Sequence, residues 1–423
     1  MNDPVIHGLT CYIVGGAVRD QLLGRQAVDR DWVVIGSSPE DMLRRGFRPV
    51  GQDFPVFLHP KTGEEYALAR TERKQGRGHQ GFAFHAAPEV TLEEDLQRRD
   101  LTINAIAQTP DGNIIDPFDF KADLDARVLR HVSPAFAEDP LRVLRVARFA
   151  AQLAGDGFTL AEETHALMTE MTASGELDEL TAERVWQETH KALASPNPTR
   201  YFEILRTVGA LRVLFPEVDA LFGVPQPPNY HPEIDSGVHT FLALTAAAAL
   251  TDQVAIRFAV LCHDLGKALT PPAEWPRHIG HEQRGVAPAR ALCDRLKVPK
   301  SVKELAVLTT AQHGRVHEAL KMRPATLVDL IESLDGLRRP ERMADVLTAC
   351  RADARGRRGS ETCDYPQAER VLAAADIARG ISPAPFLEQG LSGVKLGEAL
   401  RQARIQAIKA HFRDGPDDHP AGE

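Results

Sequence analysis

Between Gly15 and Asp31 the chain places residue types that together can handle a nucleotide. Ile13-Val14 reads as the end of a strand. Gly15-Gly16 reads as a turn whose backbone N–H groups can approach a phosphate before a short helix carrying Arg19, Asp20 and the apolar Val18, Leu22 and Leu23. After Gly24 the chain turns into Asp29-Arg30-Asp31 and the apolar run Trp32-Val33-Val34-Ile35. Alternation along a strand puts Asp29 and Asp31 on one face. Paired carboxylates there can hold two divalent cations, which stabilise the attacking and leaving oxygens of an in-line phosphoryl or nucleotidyl displacement. Alone, a glycine pair is a turn marker and two aspartates are a solvated strand end; the combination points to a site.

A second constellation lies from Ser133 to Phe149, where Glu138, Asp139, Arg142, Arg145 and Arg148 recur at three- and four-residue steps and share a helix face. Asp139 followed by Pro140 is also ordinary helix-start chemistry, which explains Asp139 but not three arginines in register. Leu92 to Ala107 reads as one helix with Arg98-Arg99 inside it. There Arg99 can grip triphosphate oxygens with its fork of donors or pair with Asp95 one turn away. Asn104 suits a cap, and Glu65 is either an edge-strand charge or a third carboxylate beside Asp29 and Asp31.

Further on come Gly237-Val238-His239-Thr240, then Leu261-Cys262-His263-Asp264-Leu265-Gly266-Lys267, then His278, His281 and His313. Imidazole and carboxylate ligands suit transition ions or magnesium, and a bound metal can generate hydroxide or polarise a phosphate.

Gly15-Gly16-Ala17-Val18-Arg19-Asp20 with Leu22-Leu23-Gly24, Asp29-x-Asp31, Arg98-Arg99-Asp100-Leu101-Thr102-Ile103-Asn104-Ala105 and Glu138-Asp139-Pro140-Leu141-Arg142 resemble the class II tRNA nucleotidyltransferases. The downstream segment resembles the His-Asp (HD) phosphohydrolase superfamily. The first resemblance implies template-independent addition of the 3′-terminal CCA of tRNA from CTP and ATP. Asp29 and Asp31 would be catalytic and hold Mg2+, and Gly16, Arg19, Arg99, Asp139, Arg142, Arg145 and Arg148 would contact the nucleotide. Asp139 and Arg142 would read the base: the carboxylate accepts from the amino group of C or A while the guanidinium donates to the ring acceptors. The second implies His239, His263 and Asp264 as metal or catalytic residues, with 2′,3′-cyclic phosphodiesterase, 2′-nucleotidase and phosphatase activity and a Ni2+ or other transition-metal preference. That superfamily usually closes its metal site with a later Asp. Gly314 stands where one is expected after His313, so His313 is the expected substitute. Alternatives are a poly(A) polymerase of the same superfamily and an HD phosphohydrolase with an RNA-binding head.

The elements that must position these residues suggest an α+β chain: a mixed, polymerase beta-like nucleotidyltransferase head over 1–132 and a helical neck and body over 133–224. An HD domain over 233–337 and a helical tail over 338–423, its end disordered, follow. Val56-Phe57-Leu58 and Tyr66-Ala67-Leu68 suit strands joined by a hairpin at His59 to Gly63, Arg73 to Pro88 reads as a mobile loop, and Pro225 to Pro232 reads as a linker. The net charge of −9 excludes an indiscriminate polyanion binder, so tRNA would meet local basic patches such as Arg98-Arg99, Arg142 to Arg148 and the Arg351 to Arg358 cluster. The last cluster fits a phosphate loop and a plain surface loop equally. Five scattered cysteines suggest reduced thiols, and no run of 18 apolar residues occurs. A cytoplasmic monomer or homodimer without membrane contact is expected.

Overall fold

The computed structural model describes residues 3–26, 30–50, 56–74, 82–85 and 87–413. Asp29 and the tail from Gly415 to Glu423 lie outside the described residues. The chain forms two compact units, Met1–Leu214 and Phe215–Glu423.

The first unit is built on strands β1 (Thr10–Val14), β2 (Asp31–Ile35), β3 (Arg48–Val50), β4 (Val56–Leu58) and β5 (Glu65–Leu68). A hairpin, β6 (Thr71–Lys74) and β7 (Phe82–His85), follows, then β8 (Ala107–Gln108) and β9 (Ile114–Ile115). Seven of these strands form one sheet in the order β3-β4-β5-β2-β1-β8-β9. Alternation along β2 explains its unbroken apolar run. Trp32 and Val34 enter a core with Met42, Phe47, Phe57 and Tyr66, while Val33 enters the opposite core with Val14, Leu92, Leu96 and Ala105. A strand buried on both faces has no polar side to show. Between β1 and β2 lies helix α1 (Gly16–Leu22), and the β4–β5 hairpin turns at His59 to Gly63 as its Pro and Gly suggest.

Two local expectations give way to strand pairing. The stretch from Arg73 to Pro88 is not all loop, because Thr71–Lys74 pairs antiparallel with Phe82–His85. Nor do Leu92 to Ala107 form one helix: α2 (Leu92–Gln97), started by a capping box between Thr91 and Glu94, ends at Arg98. Leu101 then bridges His131 in extended conformation, and Thr102 N–H donates to Arg130 O at 2.9 Å. Cross-chain backbone bonds replace the i to i−4 ladder there, and a single 3-10 turn, Thr102–Asn104, follows.

Helix α3 (Leu141–Gln152) packs its apolar side on α4 (Ala182–Leu193) and on Pro198–Thr207. Met168 and Trp186 are buried core side chains of this region, as their helical spacing suggests. One charged pair crosses the packing: Arg148 Nε donates to Glu188 Oε2 at 2.5 Å, both side chains being less than a tenth exposed.

In the second unit, α5 (Ser236–Leu250), α6 (Val254–Cys262), α7 (His281–Arg295), α8 (Lys300–His317) and α9 (Pro340–Arg355) pack on one another. Asp235 caps α5, its carboxylate accepting from Val238 N–H at 2.9 Å. Although α9 lies beyond residue 337, it packs against α5, α6 and α8 and belongs to the same core. Helices Pro324–Ser333, Pro366–Arg379 and Gly393–Arg413 complete the unit. No described helix is long and apolar enough to cross a membrane. The fold is α+β, a mixed-sheet head followed by helices.

Candidate functional site

Strand register assembles the carboxylate end of the first site. Val14, the last residue of β1, pairs with Asp31, and Asp31 pairs on its other side with Glu65 at the start of the parallel neighbour β5. Two carboxylates from different strands therefore stand side by side at one edge, next to the turn into α1. Gly15 makes that turn at φ 75°, ψ −136°, a conformation that an L side chain rarely adopts, and a Cβ there would lie 3.9 Å from Asp31 Oδ2 and 3.5 Å from Arg99 Nη1. Asp31 and Glu65 line a cleft of about 610 Å3 together with Gly16, Arg19, Arg99, Asp139, Arg142, Arg145 and Arg148. Every described residue expected to catalyse or to bind nucleotide in the head thus faces one cavity.

The guanidinium groups are braced from behind. Arg19 donates from Nη1 to Asn104 Oδ1 and from Nε to Asp20 Oδ1, each at 2.8 Å, so Asn104 orients an arginine rather than capping a helix. Arg98 and Arg99 share the buried Asp95, at 2.6 and 3.0 Å. Burial opposes ionisation of Asp95, but the two arginines outweigh it and hold its carboxyl below the usual range. Pairing with Asp95 and facing the cleft are therefore compatible for Arg99, whose Nη1 lies on the Gly15 side. Arg145 meets Asp100 Oδ2 at 2.7 Å, and Arg148 is tied to Glu188 and to Gln152 Oε1. With its side chain only 7% exposed, Arg148 holds the wall of the cleft rather than reaching across it.

At the start of α3, Asp139 Oδ1 accepts from Leu141 N–H at 3.0 Å, while Oδ2 pairs with Arg184 of α4 at 2.9 Å. Arg142 is held by two carbonyls, Nη1 donating to Ala135 O and Nη2 to Arg98 O, each at 2.8 Å. Asp139 and Arg142 line the same cleft, and the ion-pair partner of Asp139 is Arg184, which lines it too. No local signal marks Arg184, because its partner lies 45 residues earlier and only the packing of α3 on α4 brings them together.

The second unit gathers a cluster of imidazoles and carboxylates. His239 Nε2 lies 3.0 Å from Asp353 Oδ1 and 3.8 Å from Asp264 Oδ2, and His263 Nε2 lies 3.1 Å from that same Asp264 oxygen. Asp353 on α9 closes this set, so the later Asp exists, 40 residues beyond His313, in the arginine-rich stretch where only the basic residues stood out. His313 is not its substitute: its Nε2 faces Asp264 Oδ1 at 3.5 Å and His281 Nε2 at 3.1 Å. Gly314 has a packing reason, since a Cβ there would lie 2.2 Å from Glu282 Oε1. Gly266 lets the start of α7 come close, because a Cβ would meet His281 O at 1.9 Å. Pro225 to Pro232 is more than a linker, for His231 and Glu233 are buried and Glu233 Oε1 lies 2.9 Å from His239 Nδ1. Within the arginine cluster, Arg351 pairs with Glu369 and Arg355 Nε donates to Cys363 O at 3.0 Å. Arg357 alone turns inward, 3.9 Å from Asp353.

These residues fit a divalent cation. Two buried carboxylates, Asp264 and Asp353, need positive charge beside them, and His263 Nε2 and Asp264 Oδ1 are buried without a hydrogen-bond partner. Burial opposes charge on His263, yet Asp264 and Asp353 outweigh it and push it up to about 9. A proton thus does, in part, what a metal ion would do there.

Acid is expected to loosen the head cleft. Burial opposes ionisation of Asp100, but Arg145, then Arg142 and the Asn104 amide, hold its carboxyl far below the usual range. A depressed carboxyl contributes stability that is complete above its unfolded pKa of about 3.9 and is lost as pH falls towards the folded value. Urea unfolding should therefore show the gap between wild type and Asp100→Asn widest at neutral pH and shrinking below about pH 4. A gap that stays constant on acidification would mean that Asp100 is not an ionised brace.

Residues 11–130 match the family described as Poly A polymerase head domain, residues 157–222 the Probable RNA and SrmB-binding site of polymerase A, and residues 237–355 the HD domain. The last span includes Asp353. The chain is 58% identical over 400 residues to the multifunctional CCA proteins of Pseudomonas fluorescens and Pseudomonas aeruginosa, covering 95% of this chain and 98% of each relative. The multifunctional CCA protein of Halorhodospira halophila is 58% identical over 397 residues, covering 94% and 96%. The fold matches the Bacillus stearothermophilus CCA-adding enzyme in complex with CTP at a TM-score of 0.63 and 23% identity, covering 97% of this chain and 94% of that one. It also matches the Thermotoga maritima CCA-adding enzyme complexed with tRNA at 0.62 and 20%, covering 97% and 89%. With that identity and coverage, the chain belongs to the multifunctional CCA protein family.

Proposed function

We propose that the head adds and repairs the 3′-terminal CCA of tRNA from CTP and ATP without a nucleic-acid template, in the cytoplasm. The observation that carries this reading is the single cleft in which Asp31 and Gly16 meet Asp139 and Arg142. The tRNA 3′ hydroxyl attacks the α-phosphorus and pyrophosphate leaves. This chain needs to hold the two reactants in line rather than to supply a strong acid or base. Gly15-Gly16 lets the backbone approach the triphosphate, Arg19, Arg99 and Arg145 offer donors to its oxygens, and Arg148 keeps that wall rigid. Asp139 accepts from the exocyclic amine of cytosine or adenine and Arg142 donates to their ring acceptors; uracil and guanine present the wrong groups. Oxygen donors from Asp29 and Asp31, with Glu65 in register beside Asp31, suit Mg2+, which when bound neutralises charge on the reacting phosphate.

In the HD unit, His239, His263, Asp264 and Asp353 suit a transition ion such as Ni2+, whose Lewis acidity serves phosphoester hydrolysis when it is bound. The activities we assign are 2′,3′-cyclic phosphodiesterase, 2′-nucleotidase and phosphatase. Lys267 and Arg357, 2.6 and 3.9 Å from the two aspartates, are the cations available to a substrate phosphate.

Full-length protein with Mg2+, CTP, ATP and a tRNA transcript lacking its last three nucleotides should add two C and then one A, resolved at single-nucleotide length. An A-only ladder would indicate a poly(A) polymerase. Asp31→Ala should lower addition by about a thousandfold or more, since a lost metal ligand removes several kcal/mol of transition-state stabilisation; retained turnover would sink the assignment. Asp139→Ala should blur the choice between C or A and U or G, and an unchanged preference would refute base reading. Asp353→Asn should remove hydrolysis of a 2′,3′-cyclic phosphate while sparing CCA addition; persistent hydrolysis would exclude Asp353 from the centre.

A further inference from the structure

We infer that Gln226 is a substrate-binding residue of the HD unit, its side-chain amide donating to an oxygen of the phosphoester beside Lys267. The inference rests on the reading that this unit hydrolyses phosphoesters and deepens it, by adding a neutral donor from outside the cluster of histidines and aspartates.

Pro225-Gln226-Pro227-Pro228 reads as an exposed break, a poor place for a buried polar side chain. Gln226 is nevertheless only 1% exposed. Its backbone is held from several sides. The proline that follows restricts Gln226 to extended conformations, and its N–H donates to Ile234 O at 2.6 Å. Just before it, Pro225 bridges Asp235, and Pro225 O accepts from His278 Nε2 at 2.7 Å. The side chain thus starts from a fixed point.

The orientation of the amide follows from its partner. Lys267 Nζ lies 2.5 Å from Gln226 Oε1 and 2.6 Å from Asp264 Oδ2, and an ammonium can only donate. Oε1 must therefore face the lysine, and the two N–H donors of Nε2 face elsewhere. Among the described residues nothing accepts from them, although Nε2 is buried. A buried donor left unmatched is costly, and an acceptor for Lys267 alone would not need one.

Position decides which acceptor these donors meet. The oxygen and nitrogen of one amide are about 2.2 Å apart, so Nε2 lies within about 5 Å of Lys267 Nζ. Lys267 directs two of its three N–H donors at Asp264 and Gln226, and the third joins the amide in one donor set at the edge of the centre. A phosphoryl group offers several anionic oxygens to such a set. Asp264, Asp353 and Glu233 are all buried at this end of the unit and, when ionised, can only accept, so they offer a phosphate nothing. The amide supplies donors there without a further charge.

The probes are 2′,3′-cyclic AMP and its two phosphorothioate diastereomers, hydrolysed by full-length protein loaded with Ni2+. Gln226→Met removes both donors, whereas Gln226→Glu removes them and keeps an acceptor for Lys267. Each should lower kcat/KM for the cyclic phosphate by about ten- to a hundredfold, the range of a hydrogen bond to a charged group. CCA addition, bound Ni2+ and melting temperature should stay as in wild type. Sulfur in place of the oxygen that the amide meets should slow wild type more than Gln226→Met, and for one diastereomer only. A methionine variant as active as wild type overturns the inference, and so does a sulfur penalty that is the same with and without the amide. Should the methionine lower the melting temperature, the glutamate, equal in size to glutamine, carries the test. A glutamate variant with full activity shows that Gln226 only accepts from Lys267 and also overturns the inference. Wild type that leaves the cyclic phosphate intact overturns it together with the reading of the unit as a phosphohydrolase.

Discussion

A cleft meant for a triphosphate must hold several guanidinium groups close together when it is empty, and this requirement shapes the first unit. Like charges in a partly buried cavity repel strongly, and each charge also loses its hydration. The chain answers with buried acceptors behind the arginines: Asp95 under Arg98 and Arg99, Asp100 under Arg145, Glu188 under Arg148 and Asn104 under Arg19. The three carboxylates neutralise part of the repulsion, the neutral Asn104 only orients its arginine, and each brace uses up only some of the five donors of an arginine. What remains faces the cleft at fixed positions. A chain with a net charge of −9 can thus present a basic pocket, because eight arginines line that cleft against four carboxylates.

The second unit solves the opposite problem, the concentration of acceptors. Imidazole lone pairs and carboxylates converge there, and backbone carbonyls behind the rings dictate which nitrogen points inward. Convergence needs close approach of helices, which is a matter of what is absent as much as what is present. The hydrogen of Gly266 leaves room for the carbonyl of His281, and Gly314 leaves room for Glu282 beside it. A methyl at Gly266 would press on the backbone of α7 and widen the distance between His281 and Asp264, whereas at Gly314 it would meet only the flexible end of the Glu282 side chain.

Contiguous chemistry was legible in the sequence and remote chemistry was not. Gly15-Gly16, Asp31, the arginines of α3 and the His263-Asp264 step lie within short stretches whose local element places them, so spacing alone reveals a shared face. Asp353 and Arg184 each need a partner tens of residues away. Asp353 stood among four arginines that drew attention to a surface, and Glu233 stood in a proline-rich stretch that reads as a break. Gly314 was misleading for the same reason: a residue without a side chain looks like a lost ligand until the neighbour that fills its space is known. Element boundaries failed where tertiary pairing overrode local preference, as at Leu101, whose bridge to His131 cuts short a helix that the pattern of residues 92–107 otherwise supports.

The placement of Arg142 bears on how a protein surface can choose between bases. A free arginine can rotate to donate to almost any acceptor, and a reader with that freedom discriminates poorly. Arg142 lacks it, because Ala135 O and Arg98 O hold two of its nitrogens, and Asp139 is fixed in turn by Leu141 N–H and Arg184. Selectivity between bases comes from leaving a wrong partner's polar groups unpaired, at a cost of about 1–3 kcal/mol for each, and that cost is levied only if the protein's own groups do not move to meet it. The carbonyl anchors belong to the backbone before α3 and after α2, so in the base-reading role we propose for Asp139 and Arg142 the geometry is set by how those two segments pack. On that proposal a change in the packing, even one far from the phosphate-binding turn, would alter which base the pocket accepts before it alters whether a nucleotide binds.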